Sequence, residues 1–204
     1  MAEWDGATVL TTERLVLRRW RSDDLDPWAA LNTDPEVVRH LGGAPLPRAE
    51  SDAIAAWHNR VNDDEHIGLL AVERRADAAF LGMCGLHHQE TYADDVEVAW
   101  RLASQHWHQG YATEAATAWL DHAFGPLGLT RVISMTDRPN VASLAVMARL
   151  GLTFDHEARV VDDGEEFDAV VHAITADEWR ARRARGRGAC DLRVWRQDMR
   201  GGSA

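Results

Sequence analysis

The residues that decide the fold are 95–124, which read DVEVAWRLASQHWHQGYATEAATAWLDHAF. Apolar residues alternate with other types over 95–102, which predicts a β-strand. From Gly110 to Phe124 they recur every three or four positions, as in a helix with one apolar face. At the junction, a glycine and small residues let the backbone turn tightly and direct the first free N–H groups of the helix toward a phosphate. A strand followed by a glycine-opened helix is also an ordinary packing solution, so an anion site is one of two interpretations.

This segment lies among alternating strand-like and helix-like stretches, which predict a mixed α/β fold. Short connections between the strands before it are typical of an antiparallel meander. Further strands are predicted at 15–20, 67–74, 79–86, 130–136, 152–160 and 167–174, with a hairpin turn at 162–164. Helices are predicted at 25–31, after Pro35, at 51–61, at 140–150 with an end at Gly151, and at 177–185.

Length and composition favour one globular domain with a tail. The 204 residues fit a single domain, and a content of 46% hydrophobic and 27% charged residues excludes disordered and low-complexity chains. From Gly186 onward, Gly, Arg and polar residues mix without a period, so we predict a domain at 1–184 and a flexible tail at 185–204. No apolar run reaches about 18 residues, and two cysteines cannot build a disulfide framework. We therefore expect no membrane partner and a cytoplasmic location.

The net charge of −11 is divided unevenly along the chain. All 22 basic residues are arginines, and eight of them lie at 180–200 with two aspartates, which gives this segment +6. The other residues therefore carry −17. Such acidity repels phosphate backbones and attracts cationic or amine-bearing partners, which argues against a nucleic acid ligand. The alternative is that the acidity only keeps the protein in solution.

Residues 107–115, WHQGYATEA, resemble the acyl-CoA loop of the GNAT acyltransferases. The pattern of that loop is Arg or Gln, then any two residues, then Gly, then any residue, then Gly or Ala. Gly110 and Ala112 fit its two small positions. The fuller string is most similar to the RimJ/RimL-like branch of ribosomal-protein N-terminal acetyltransferases. Further blocks that resemble this branch are TERLVLR at 12–18, EVAW at 97–100, and the Asn-x-x-Ser helix with its Leu-Gly-Leu end at 140–152.

The resemblance implies a GNAT fold, in which a mostly antiparallel sheet is splayed at the acyl-CoA site, with acetyl-CoA as the acyl donor. A neutral amine would attack the thioester directly in a ternary complex. The acceptor would be a small cationic amine or a protein N-terminal α-amine, and a homodimer is one of the assemblies to consider. By the same resemblance, the coenzyme would contact Trp100, Arg101 and Leu102 on the strand, His108, Gln109, Gly110, Tyr111, Ala112 and Thr113 in the loop, and Asn140 and Ser143 on the next helix.

Two residues depart from the pattern of the branch. His108 stands where a glycine usually follows the tryptophan, and its Cβ would narrow the phosphate loop if the backbone φ must be positive. Coenzyme affinity is the property that this replacement would change. Met147 stands where many GNAT enzymes carry a tyrosine, so no phenol can act as the acid there, and the resemblance to the RimJ/RimL-like branch implies instead the serine of the Asn-x-x-Ser motif, Ser143.

Acetyl transfer to an amine needs a proton acceptor, because an amine with a pKa of about 10 is almost wholly protonated at neutral pH. Alternation along 95–102 puts Glu97 with Ala99 and Arg101 on one face of the strand, beside the expected cleft. We therefore predict Glu97 as the general base, acting directly or through water. The alternative is a surface carboxylate on a half-exposed strand.

The departing thiolate needs a proton or a hydrogen bond, and the Ser143 hydroxyl can supply either. Alternatively, Ser143 bonds to the backbone at the start of its helix, and Asn140 is a helix cap rather than a ligand of the pantetheine.

Other residue types are interpreted as structural. The histidines at 87–88, and those at 106 and 108, lack a third ligand at zinc-like spacing, so we expect no metal site. Tryptophans belong first of all to the core, and only Trp28 and Trp57 are candidates for an acceptor pocket. Cys84 lies in an apolar strand and is expected to be a buried thiol.

Two other classes of function compete with catalysis. A non-catalytic acyl-CoA sensor on the same fold would bind the coenzyme without turnover, and a structural or protein-binding domain would not bind CoA at all. The pairing of a carboxylate at Glu97 with a hydroxyl at Ser143 favours catalysis.

Overall fold

The computed structural model describes residues 4–89, 91–162 and 165–185. The predicted tail lies outside the described residues from 186 onward, as do residues 163 and 164 of the predicted hairpin turn. Within the described residues the strands are β1 (Thr8–Thr11), β2 (Leu15–Arg18), β3 (Gly68–Arg74), β4 (Ala79–Gln89), β5 (Tyr92–Leu102), β6 (Arg131–Asp137), β7 (Thr153–Asp162) and β8 (Glu165–Thr175). They form one sheet in the order β1-β2-β3-β4-β5-β6-β8-β7, antiparallel except for the parallel pair β5 and β6.

The helices of the described residues flank this sheet. They are α1 (Leu25–Leu31), α2 (Pro35–Val38), α3 (Arg48–Glu65), α4 (Tyr111–Phe124), α5 (Val141–Leu150) and α6 (Ala176–Arg185). The apolar face of α4, which includes Ala115, Trp119 and Ala123, is fully buried where the helix packs on β4 and β5. Every helix in the described part of the chain is too short or too polar to cross a lipid bilayer.

These elements confirm a mixed α/β fold with a mostly antiparallel sheet, and the sequence-based expectation differs from it at the ends of two elements and in one missed strand. β4 continues to Gln89 rather than stopping at 86, because His87 and His88 pair with β5. α3 runs to Glu65 because it ends where His66 adopts a left-handed φ of 60°, not where its apolar periodicity ends. β1 was not predicted, since four residues are too few for alternation to stand out.

Three fully buried tryptophans, Trp20, Trp28 and Trp119, confirm that large aromatic residues build the core. Each indole N–H donates to a backbone carbonyl: Trp20 to Leu69 at 2.9 Å, Trp28 to Ser51 at 2.9 Å, and Trp119 to Cys84 at 3.0 Å. These bonds remove the cost of burying a polar N–H group while the rings supply apolar area. The aromatic core thereby ties α1, α3 and α4 to the central strands.

The parallel pair of strands is open at one end. Among the described residues β5 and β6 are in register at one pair, Glu97 and Ile133, whereas β5 pairs with β4 from Gly82–Leu102 to Gln89–Tyr92. Beyond Glu97 the two parallel strands therefore separate. This gap in the middle of the sheet is the place where the fold can admit a ligand between two strands.

Candidate active site

A cavity of about 530 Å³ opens where β5 and β6 separate. Its walls come from α3, β4, β5, β6, the start of α5 and the segment after α2. This volume lies within the usual range for small-molecule sites. Five of the residues predicted from the sequence line the same cavity, namely Glu97, Trp100, Arg101, Asn140 and Ser143.

Glu97 is buried in the wall of this cavity, with 5% of its surface exposed, rather than lying on the outside of the sheet. Its Oε1 accepts a hydrogen bond from the backbone N–H of Met135 on β6, at 3.1 Å. Its Oε2 lies 3.2 Å from Nε2 of His87, the residue opposite it on β4. A buried carboxylate held by two partners at the edge of a cavity is suited to exchange a proton with a bound molecule.

The imidazole of His58 on α3 forms the wall beside His87, with the two ring centroids 6.2 Å apart. Burial lowers the pKa of His58 to about 3, and the nearby charges of His87 and Arg101 act in the same direction. His58 is therefore neutral at physiological pH. It does not compete with Glu97 as a proton acceptor.

Asn140 and Ser143 are linked at the start of α5. The side-chain oxygen of Asn140 accepts a hydrogen bond from the backbone N–H of Ser143 at 3.1 Å, so Asn140 is the helix cap. Within the described residues, the Ser143 hydroxyl makes no hydrogen bond, and Ser143 lines the cavity. The hydroxyl is thus free to bond a group inside it. Met147, one turn further along, is buried and packs in the core.

The edge of β5 beyond Glu97 faces the gap. In this stretch β5 pairs with β4 on one side, and its backbone on the other side can pair with an extended ligand. Trp100 and Arg101 lie on this edge and line the cavity, and the Arg101 side chain donates to Asn32 at 2.9 Å. Leu102 differs, because its side chain is buried and its carbonyl accepts a hydrogen bond from Trp107 Nε1 at 2.7 Å.

The loop between β5 and α4 ends in two residues with left-handed backbones. His108 has φ of 59° and Gly110 has φ of 81°, so His108 occupies the conformation in which a Cβ is strained. A Cβ added at Gly110 would meet only Arg14 Nη2, at 3.5 Å. Within the described residues no side chain caps the first turn of α4, which leaves its N–H groups directed outward for an anion.

Arg14 at the start of the chain holds this loop in place. Its Nη1 donates to the carbonyl of Gln109 at 3.0 Å, its Nε donates to Glu114 at 2.6 Å, and its guanidinium lies 4.6 Å from the centroid of the Tyr111 ring. The Thr12 hydroxyl donates to the same carboxylate at 2.5 Å. Through these contacts the segment around Arg14 holds the loop and the first turn of α4 in position.

Sequence reasoning missed the partners of the carboxylates. His87 was considered only as a metal ligand, whereas it faces Glu97, and His40 Nδ1 lies 2.8 Å from Asp137 Oδ2 at the cavity rim. The antiparallel meander predicted from the sequence leaves the register of these two strands open, and it is the register that brings His87 opposite Glu97. The contact between His40 and Asp137 joins residues 97 positions apart and has no local signal.

The other residues considered from the sequence are the metal-ligand types, two tryptophans and one cysteine. In the described part of the chain, no three His, Cys, Asp or Glu side chains are grouped so that they could hold a metal ion. Trp28 is fully buried, whereas Trp57 is 56% exposed and lines the cavity. Cys84 is buried, and burial raises the pKa of its thiol, which keeps it protonated and unreactive.

Comparison with known proteins gives consistent matches. The pattern that defines the acetyltransferase (GNAT) domain matches residues 14–153. FsC-acetyl coenzyme A-N(2)-transacetylase of Aspergillus fumigatus is 32% identical over 162 residues, which cover 73% of this chain and 68% of that protein. The crystal structure of an acetyltransferase from Agrobacterium tumefaciens is 27% identical with a TM-score of 0.69, covering 81% of this chain and 92% of that one. Mycobacterium smegmatis RimJ, solved with CoA-disulfide, shares the fold at 21% identity and a TM-score of 0.64, over 80% and 83% of the two chains.

Proposed function

Because the chain belongs to the acetyltransferase (GNAT) family, we propose that it moves the acetyl group of acetyl-CoA to a primary amine by direct attack in a ternary complex. Acyl-CoA-dependent acetyl transfer follows from the family and its relatives, and the sheet has the expected GNAT fold. The observation that carries the finer proposal is the buried carboxylate of Glu97, which lines one cavity with the Ser143 hydroxyl where β5 and β6 separate.

Glu97 accepts a proton from the bound ammonium group, directly or through one water, and this frees the nitrogen lone pair to attack the thioester carbon. The Met135 N–H and His87 hold the carboxylate at the cavity wall. Pre-positioning of this kind removes the cost of orienting the base during the reaction.

Ser143 assists the other half of the reaction. As the C–N bond forms and the C–S bond breaks, its hydroxyl donates a hydrogen bond or a proton to the departing sulfur, and the second proton that the nitrogen loses as the amide forms restores the hydroxyl or passes to solvent. Asn140 fixes the first turn of α5 and so fixes the position of Ser143. A thiol with a pKa of about 8.5 leaves readily, so this assistance contributes less than the base.

The coenzyme seat consists of two parts. The open edge of β5 at Trp100 and Arg101 pairs with the pantetheine amides, and the loop from His108 to Thr113 binds the pyrophosphate through backbone N–H groups. Gly110 has no Cβ to stand between this loop and the phosphates, and the Arg14 guanidinium lies 3.5 Å from where a Cβ would be. At Leu102 one lone pair of the carbonyl is already bonded to Trp107, so this residue contributes less to the pairing than Trp100.

Within the family we assign the chain to the RimJ/RimL-like branch. The support is the order of its sequence blocks, the brace from Arg14 to the loop, and the fold shared with RimJ. We further propose that residues 1–184 are one catalytic domain followed by a separate tail, that the enzyme acts in the cytoplasm, and that it assembles as a homodimer. The acceptor is a small amine or a protein N-terminus.

Amine-dependent release of free thiol from acetyl-CoA tests the proposal. The wild-type protein should release thiol only when an amine is present, and Glu97→Gln should lower turnover by about 10² to 10⁴ at neutral pH with little change in CoA affinity. Asp95→Asn is the matched control, because Asp95 lies on the same strand and contacts Arg131 at 3.5 Å. CoA binding without thiol release would instead identify a sensor, and absence of both would identify a structural domain.

A further inference from the structure

Apolar side chains gather at the mouth of the cavity. The large apolar side chains exposed in the described residues are Leu41, Trp57, Val141 and Phe154, and the first two line the cavity. Leu41 is 39% exposed and Trp57 is 56% exposed. Ile54, one helical turn before Trp57 on α3, lines the same wall. Exposed apolar groups that converge on a concave site are typical of contact with an apolar ligand.

The indole of Trp57 is well placed to hold such a ligand. It projects from the middle of α3, a long helix packed on β3, so its backbone is held rigidly. The Arg60 guanidinium lies 5.6 Å from the centroid of its ring, which restrains the indole further. A restrained aromatic side chain loses little rotamer entropy when a ligand covers it.

The charged groups of the cavity are few and already in contact with other side chains. Glu97 lies 3.2 Å from His87, and Asp137 lies 2.8 Å from His40. Arg101 adds a positive charge to the same lining. Two carboxylates and one guanidinium give the cavity a net charge of −1 before its four histidines are counted, so most of the −17 charge outside residues 180–200 lies elsewhere.

From these two features we infer that the acceptor is a small monoamine with an aromatic or branched aliphatic body. The inference rests on the acetyl transfer proposed above. The amino group lies at Glu97, and the body packs against Ile54, Trp57 and Leu41. A polyamine fits poorly, because Asp137 is already bonded to His40, and the ammonium groups beyond the one at Glu97 would meet an apolar wall and Arg101.

The first test compares kcat/KM for 2-phenylethylamine, spermidine and a short unblocked peptide with saturating acetyl-CoA. We expect 2-phenylethylamine to exceed both others by about tenfold or more, which corresponds to about 1.4 kcal/mol. A preference for spermidine, or for the peptide, would overturn the inference and leave the proposed acetyl transfer intact. Failure of every amine in a protein that binds CoA would overturn both.

The second test removes the aromatic contact. Trp57→Ala should raise the KM for 2-phenylethylamine about tenfold. Phe154→Ala is the matched control, because Phe154 is a similarly exposed aromatic residue on β7 outside the cavity wall, and it should leave this KM unchanged. Trp57→Leu keeps apolar area and should recover part of the loss. Equal KM values for wild type and Trp57→Ala would contradict the inference.

Discussion

Replacement of His108 by glycine should stabilise the protein by about 0.5 to 1 kcal/mol without weakening coenzyme binding. At φ of 59°, a residue with a Cβ costs about 1 to 2 kcal/mol more than glycine. The greater freedom of glycine in the unfolded chain offsets about 0.4 to 1 kcal/mol of this gain. Because His108 is exposed, little packing is lost. For a protein of this size the net gain raises Tm by about 1 to 4 °C, which thermal unfolding can measure.

The same variant tests what the imidazole does to the coenzyme. Relief of backbone strain stabilises the free and CoA-bound proteins equally, so the Kd for CoA changes only through the contacts of the side chain. Isothermal titration should therefore give a Kd equal to or lower than that of the parent.

His66→Gly is the matched control for this measurement. His66 is also an exposed histidine with a positive φ, of 60°, at the end of α3. It lies beside His122 near the C-terminal end of α4, whereas the phosphate loop precedes the N-terminal end of that helix, so the variant leaves the loop unchanged. Both variants should gain similar stability. A loss of CoA affinity of tenfold or more in His108→Gly alone would refute the reasoning and show that the imidazole binds phosphate.

Three further predictions follow from the geometry. Gly110→Ala and Gly128→Ala, at φ of 81° and 65°, should both lose about 0.5 to 1 kcal/mol of unfolding free energy after the lower entropy of the unfolded chain is counted, but only Gly110→Ala should weaken CoA binding in a titration. Ser143→Ala should lower turnover about tenfold to a hundredfold at nearly unchanged stability, and the loss should be smaller with an acyl donor whose thiol is more acidic. Asn140→Ala should lower the free energy of unfolding by about 1 kcal/mol, because it removes the helix cap. A loss of turnover in Ser143→Ala that is the same for every donor would argue against the acid role. Burial lowers the pKa of His58 from 6.5 to about 3 in the folded protein. Between these two pH values the unfolded chain therefore binds more protons than the folded protein, so the free energy of unfolding should fall as pH drops, by up to about 1.4 kcal/mol per pH unit. His58→Asn should flatten this loss in urea unfolding between about pH 6.5 and 4.5, and an unchanged slope would contradict a buried neutral imidazole.

Much of the fold could be predicted because its main elements are long and strongly periodic. The face of α4 with Ala115 and Trp119 and the alternation around Glu97 each repeat often enough to define a helix and a strand. The end of β4 was missed because polar residues there pair across the sheet, and pairing depends on register rather than on local pattern. The end of α3 was missed because a left-handed residue at His66 determines it.

The candidate site divides in the same way. Gly110 and Ser143 stand in recognisable motifs, so sequence alone could propose them. The contact of His87 with Glu97 requires the strand register, and the bond from Arg14 to the Gln109 carbonyl joins residues 95 positions apart. Contacts of this kind arise from the packing of distant elements, for which one sequence carries no local signal.

The pH dependence of the Glu97→Gln defect tests most directly whether Glu97 takes the proton of the amine. Turnover of wild type and Glu97→Gln with one monoamine is measured from neutral pH up to the pKa of that amine, with Asp95→Asn alongside. The defect should be largest near neutral pH and shrink as pH approaches the pKa, because the amine is then already neutral and needs no base. A defect of equal size at every pH would contradict the assignment and leave Glu97 with a positioning role only.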